Sequence, residues 1–255
     1  MISCKFKMKF RFTVLVLALL PLVTFASHKV YVIHGYGGFA LQMEKINQGL
    51  LKNGYITENY SYFSLSEDLD SLGHDLYRKV KTDNFDTVSF VTHSMGALVV
   101  RSMHQYLTPG EHFPYIFRIV MLAPPNKGTE LANGLSNPAL KYILGTNVEH
   151  MRTDSNSYVN KLPVPTCETG IIAGITGTKP WFNPFLKEDN DGIVSLSLTK
   201  LGNEKELVII KATHSIMTQQ KNVIKLITHF MKTGSFKNTK SINIERKNQE
   251  PRSKT

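Results

Sequence analysis

The sequence predicts an α/β domain, with a mostly parallel central sheet, helices on both faces and a small cap insertion. Three observations lead there. Short apolar, β-branched runs alternate with stretches of helical periodicity, the pattern of strand–helix crossover units. Two of those runs end in turns, one rich in glycine and one built around a serine. The chain has 255 residues, 42% of them hydrophobic, enough for one sizeable core and a little short for two.

The elements follow in order. Lys29–Ile33 is β-branched and aromatic and runs into the turn-forming His34–Gly38, H-G-Y-G-G. Leu41–Leu51 has helical spacing and is stopped by Asn53-Gly54. Tyr55–Phe63 suits a second strand. Ser66–Lys81 places Leu69, Leu72, Leu76 and Val80 on one helical face. Thr87–Val91 is a short buried strand that meets T-H-S-M-G at Thr92–Gly96, and Ala97–Leu107 reads as the helix after it, closed by Pro109-Gly110. Ile116–Ala123 is another strand. Residues 124–165 loosen into Pro, Gly and Asn with short helical pieces such as Pro138–Leu144, an insertion over the carboxyl edge of the sheet that suits a cap or lid. The sheet resumes at Gly170–Ile175 and Glu206–Lys211, with a Gly/Pro/Asn-rich loop over Gly177–Gly192 between them. Ser215–Met231 is the last helix.

The net charge of +10 sits at the ends. Residues 1–26 carry Lys5, Lys7, Lys9 and Arg11 and no acid; residues 232–255 carry seven basic and two acidic side chains. The body is close to neutral, so the basicity gives no support to nucleic-acid binding. A basic stretch, the apolar run Phe12–Phe25 and small residues at Thr24 and Ala26 read as an export signal cleaved after Ala26, for a periplasmic or secreted product. The apolar run is fourteen residues long, whereas a bilayer span takes roughly 20. The expected organisation is a signal at 1–26, the α/β domain at 27–232 and a basic, mobile tail at 233–255. After cleavage Cys167 is the only cysteine, which excludes an intramolecular disulfide. Cys/His metal spacing is absent, and no metal or cofactor is expected.

Ser94 lies between a buried strand and a helix, where a sharp turn would hold a serine above the sheet as a nucleophile. A serine there could also be an ordinary helix cap; its context and the partners below favour the nucleophile. Gly96 is small enough for close packing, while Thr92 stands where the usual G-x-S-x-G pattern has its first glycine. The N–H of Met95 is the expected donor to an oxyanion, and the N–H of Tyr36 in the first Gly-rich turn is the second. That turn has neither a G-K-[ST] nor a G-x-G-x-x-G spacing, which argues against a nucleotide. His93 is expected to be packed, hydrogen-bonded and pointed away from the reacting centre. His214 directly follows a strand on a short loop, at the same sheet edge as Ser94, and is the candidate base. The acid belongs just past a strand: Asp191 in N-D-G-I-V, with Asp189 in reserve.

Taken together, H-G-Y-G-G (34–38), T-H-S-M-G (92–96), A-P-P-N-K-G-T-E (123–130), N-D-G-I-V (190–194) and T-H-S-I-M (213–217) resemble, in their order, the bacterial lipase/esterase branch of the α/β-hydrolase family. The resemblance spans nearly all of residues 29–236. It implies the triad Ser94, Asp191 and His214, the oxyanion donors Tyr36 and Met95, and hydrolysis of carboxylic esters through an acyl-enzyme. Some lipases of this branch bind calcium through an aspartate after the histidine; Ser215, Ile216 and Met217 stand there instead. The expected partner is a small ester or lipid. Acyl transfer, thioester or amide cleavage, and a non-catalytic lipid-binding or chaperone-like role remain alternatives on the same scaffold. Peripheral membrane contact by the basic tail and the oligomeric state stay open.

Overall fold

Among the described residues every pairing between strands is parallel, and this decides where the site can be. The computed structural model describes residues 27–134, 145–176, 186 and 188–237. Within them, β1 (His28–Ile33), β2 (Ile56–Tyr60), β3 (Thr87–His93), β4 (Tyr115–Leu122), β5 (Glu168–Ile175) and β6 (Glu206–Lys211) form one sheet in the order β2-β1-β3-β4-β5-β6. The central strands read as continuous apolar runs because helices cover both faces. Alternate side chains divide between two cores. Tyr31, Ile33, Phe90, Ile119, Met121 and Ile171 pack with helices α2 (Leu69–Thr82) and α3 (Gly96–Met103). Val30, Val32, Val91, Val120, Leu122 and Ile172 pack with α1 (Glu44–Lys52) and α4 (Lys221–Thr233).

The chain moves outward from β1 to β2, then crosses back over β1 to β3. The strand order therefore reverses between β1 and β3. A crevice opens at such a switch point, outside the carboxyl ends of the strands. The H-G-Y-G-G turn leaves β1 at that crevice and T-H-S-M-G leaves β3 beside it.

Several helix boundaries differ from the spacing-based expectation, each for a local reason. The first helix is preceded by a 3-10 turn over Ala40–Met43. The second starts at Leu69 because Asp68, rather than Ser66, caps it: its Oδ1 accepts from the N–H groups of Asp70 and Ser71, both at 3.0 Å. After Met103 the third tightens into a 3-10 turn over His104–Tyr106. The last expected helix is two elements, a 3-10 turn over Ile216–Gln219 and α4, separated at Gln220, whose φ of −80° and ψ of 129° are extended. Packing also continues past the expected end of the domain at residue 232. Phe236 is buried against Phe230 with ring centroids 4.6 Å apart, and the Glu206 carboxylate accepts from Ser235 Oγ (2.7 Å) and the Phe236 N–H (2.6 Å).

The insertion at 124–165 contains short helices at Glu130–Gly134, Asn147–His150 and Tyr158–Lys161; the piece expected at Pro138–Leu144 lies outside the described residues. So do the segment expected as an export signal at 1–26 and the residues beyond 237. A buried arginine ties the insertion to α3. The Arg101 guanidinium donates to the carbonyls of Asn126 (2.7 Å), Val159 (3.1 Å), Leu162 (2.7 Å) and Pro163 (3.0 Å), and burial lowers its pKa to about 10. Among the described residues no helix is long and apolar enough to cross a membrane.

Candidate active site

β3 ends at His93, and the chain turns into α3 through Ser94, whose φ of 53° lies in the left-handed region. A non-glycine residue held there stores strain, which surrounding contacts must enforce. The Ser94 N–H donates to the Leu122 carbonyl at the end of β4, 2.8 Å away. On the other side the turn is pressed against the end of β1. A Cβ on Gly96 would lie 2.5 Å from the His34 carbonyl oxygen and 2.8 Å from that of Ile33; a Cβ on Gly35 would lie 2.8 Å from Ser94 Cβ. Neither site admits a side chain without moving backbone or the serine itself. Thr92 is fully buried, and the tight approach falls at Gly35 and Gly96, so the threonine is accommodated where the usual pattern has glycine.

The turn after β1 is held by its own buried residues. His34 Nδ1 donates to the Gly35 carbonyl (2.8 Å), and its Nε2 accepts the Tyr62 N–H (3.3 Å). Tyr62 Oη donates to the His34 carbonyl (2.7 Å), and the two rings stack 4.2 Å apart. Burial lowers the His34 pKa, which keeps the ring neutral in this role. The Gly37 N–H donates to Ser64 Oγ (2.9 Å), joining this loop to the one after β2. Tyr36 sits within it. Met95 is the residue before α3, and its N–H has no hydrogen-bond partner among the described residues.

Asp191 and His214 meet. His214 Nδ1 lies 2.7 Å from Asp191 Oδ2, and the His214 N–H donates to the Asp191 carbonyl at 2.9 Å. The other carboxylate oxygen, Oδ1, accepts the N–H groups of Ile193 (3.0 Å) and Val194 (2.8 Å). Asp191 is 2% exposed and His214 8%. A carboxylate only accepts, so Nδ1 carries the proton and Nε2 is left as the basic nitrogen. Of the two candidate aspartates, Asp191 is the one in contact with His214.

His93 does not point away from this centre as expected. It is 2% exposed, and its ring lies against that of His214 with centroids 4.8 Å apart. Its Nε2 donates to the His214 carbonyl at 2.9 Å. Burial, reinforced by the charge of His214, depresses its pKa to about 3. No hydrogen bond joins Ser94 Oγ to His214 among the described residues; the serine is connected to the histidine loop through its neighbour His93.

The segment Asn126–Glu130, part of a motif recognised in the sequence without any role assigned to it, packs on the loop that carries Asp191. An open cleft of about 370 Å³, lined by His104, Phe113, Ile116 and Cys167 among others, lies at the amino edge of the sheet, opposite the site. Burial raises the Cys167 thiol to about 11, as expected of a packed, unreactive cysteine. Among the described residues no group of three or more His, Cys, Asp or Glu side chains could hold a metal ion.

A family described as a domain of unknown function (DUF7379) matches residues 35–154, a stretch that includes Tyr36, Ser94 and Met95 and ends before Asp191 and His214. No curated protein matches the chain by sequence. Solved structures with the same fold include a Bacillus licheniformis lipase in mature form, 20% identical with a TM-score of 0.60, the match covering 82% of this chain and 93% of that one. Staphylococcus hyicus lipase is 14% identical with a TM-score of 0.57, over 75% of this chain and 89% of that one. A metagenomic carboxyl esterase is 16% identical with a TM-score of 0.56, over 74% and 65%. At these identities the likeness shows a common fold, the α/β-hydrolase fold.

Proposed function

We propose that this α/β-hydrolase-fold chain is a serine hydrolase of carboxylic esters. The observation that carries the reading is the Asp191–His214 hydrogen bond, at the same sheet edge as a strained Ser94. His214 Nε2 takes the Ser94 Oγ proton as that oxygen attacks the acyl carbon. The oxyanion that forms is received by the N–H groups of Met95 and Tyr36. Collapse expels the alcohol, protonated by His214, and leaves an acyl-serine. A water then gives its proton to His214 and attacks the ester; release of the acid restores the serine. Asp191 holds the imidazole in the required tautomer and stabilises the imidazolium. Similarity in fold to proteins described as lipases and a carboxyl esterase supports the reaction class. Export through residues 1–26 would carry the enzyme out of the cytoplasm.

The surroundings of the site favour an apolar substrate. Phe39, Leu41, Phe63, Leu65 and Ile216 are large hydrophobic residues between 53% and 75% exposed, on the loops that leave the carboxyl ends of β1, β2 and β6. These loops are bonded to one another, Gly37 to Ser64 and Gln219 to Gln42. Residues 35–43, 61–66 and 213–220 contain no Asp, Glu, Lys or Arg. An uncharged apolar rim suits a lipophilic acyl chain better than a polar or ionic ester.

A fluorophosphonate probe and a series of p-nitrophenyl esters from acetate to palmitate test the reading. Labelling of the wild type that disappears in Ser94→Ala, with turnover lower by about 10³-fold or more in Ser94→Ala and His214→Ala, is expected. A wild type that neither labels nor turns over any ester of the series would sink it.

A further inference from the structure

Asp191 lies in a loop with little regular structure, yet a base can be oriented only by an acid that is itself held still. The geometry points to Asn126–Glu130 as the element that holds it, with Thr129 as the positioning residue for the acid. This inference rests on the reading of Asp191 and His214 given above.

Thr129 is 5% exposed, and its hydroxyl donates to the Ile193 carbonyl at 2.5 Å. The peptide unit that begins with that carbonyl ends in the Val194 N–H, which donates to Asp191 Oδ1 at 2.8 Å. One peptide group therefore accepts from Thr129 on one side and donates to the carboxylate on the other. Hydrogen bonds in series polarise each other and fix the orientation of the group between them. The rest of the segment repeats the contact. Asn126 Nδ2 donates to the Thr199 carbonyl (2.8 Å), the Lys127 N–H to the Leu198 carbonyl (3.0 Å), and Ser195 Oγ to Glu130 Oε1 (2.7 Å). The segment is anchored in turn to the nucleophile's helix, because Arg101 of α3 donates to the Asn126 carbonyl. A chain of direct contacts thus runs from the helix that begins two residues after Ser94 to the carboxylate facing His214.

Thr129→Val keeps the shape and removes the hydroxyl; Thr129→Ser keeps the hydroxyl. In Thr129→Val, kcat is expected to fall about 10- to 100-fold with KM within about twofold, the cost of a small misplacement of a catalytic group. The low-field proton resonance of the His214–Asp191 bond should shift or broaden beyond detection. Thr129→Ser should restore both. Ser195→Ala, which opens the Glu130 contact of the same brace, should lower kcat in the same direction by a smaller factor, and it tests the brace even if Thr129→Val does not fold. A folded Thr129→Val with wild-type kcat and an unmoved resonance would overturn the inference, as would Thr129→Ser as impaired as Thr129→Val. So would wild-type kcat in Ser195→Ala where Thr129→Val is unfolded. Ser94→Ala in the same assays separates the two levels. Turnover that survives Ser94→Ala rejects the reading of the site; loss there with no effect at Thr129 rejects only the brace.

Discussion

His93 Nε2 donates to the carbonyl oxygen of His214 across 2.9 Å, so the residue before the candidate nucleophile grips the backbone of the candidate base. Burial, with the charge of His214 added, holds His93 at about 3 against its ordinary 6.5. Between those pH values the folded chain binds fewer protons at this ring than the unfolded chain. Stability that is complete above pH 6.5 is therefore lost as pH falls toward 3. In His93→Gln this component is absent, and the loss of unfolding free energy between about pH 7 and about pH 4.5, measured by urea titration, should be smaller than in the wild type. Equal losses in the two proteins would show that His93 protonation is not coupled to folding.

Gly35 is a contact point between the two turns of the site. A methyl there would sit 2.8 Å from Ser94 Cβ, too close for the serine to keep its place. Gly35→Ala should lower kcat by about 100-fold, as a displacement on the order of 1 Å does. Steady-state kinetics beside a melting curve make the check; unchanged kcat in a folded Gly35→Ala would show that the serine's position is not critical.

Arg101 satisfies four carbonyls from one planar fork, three of them buried and that of Pro163 partly so. Each carbonyl left without a donor costs roughly 1–3 kcal/mol, so Arg101→Met should lose at least about 3 kcal/mol of stability. Arg101→Lys should recover only part of it, because an ammonium cannot reproduce the fork. A change under about 1 kcal/mol by urea unfolding in Arg101→Met would contradict this role.

The exposed apolar rim makes a prediction about selectivity. Phe63 is 75% exposed and Leu41 70%, both on loops at the mouth of the site. If an acyl chain covers them, the double variant Leu41→Ser/Phe63→Ser should lower the ratio of kcat/KM for a long-chain ester to that for the acetate by about tenfold or more. An unchanged ratio would take the rim out of substrate binding.

What could be read from the sequence was local. The strands were legible because a sheet covered on both faces demands unbroken apolar runs, and Lys29–Ile33, Thr87–Val91 and Glu206–Lys211 each match or fall within an observed strand. Ser94 and His214 could be placed at one edge because each lies just past a strand of a parallel sheet, β3 and β6; Asp191 does not, lying instead far along the loop between β5, which ends at Ile175, and β6. Local spacing missed the break at Gln220 and the docking of Phe236. Nothing in the periodicity around those residues marks an extended backbone or a ring buried on Phe230.

The sequence by itself therefore determined the fold class and the candidate chemical groups, because hydrophobic period and turn chemistry act over a few residues. Only the tertiary structure decided that Asp191 rather than Asp189 meets His214, that His93 turns toward the histidine loop, and that Thr129 and Arg101 brace the site. Each of those depends on hydrogen bonds between residues far apart in the chain, whose partners become neighbours only once the sheet has been assembled.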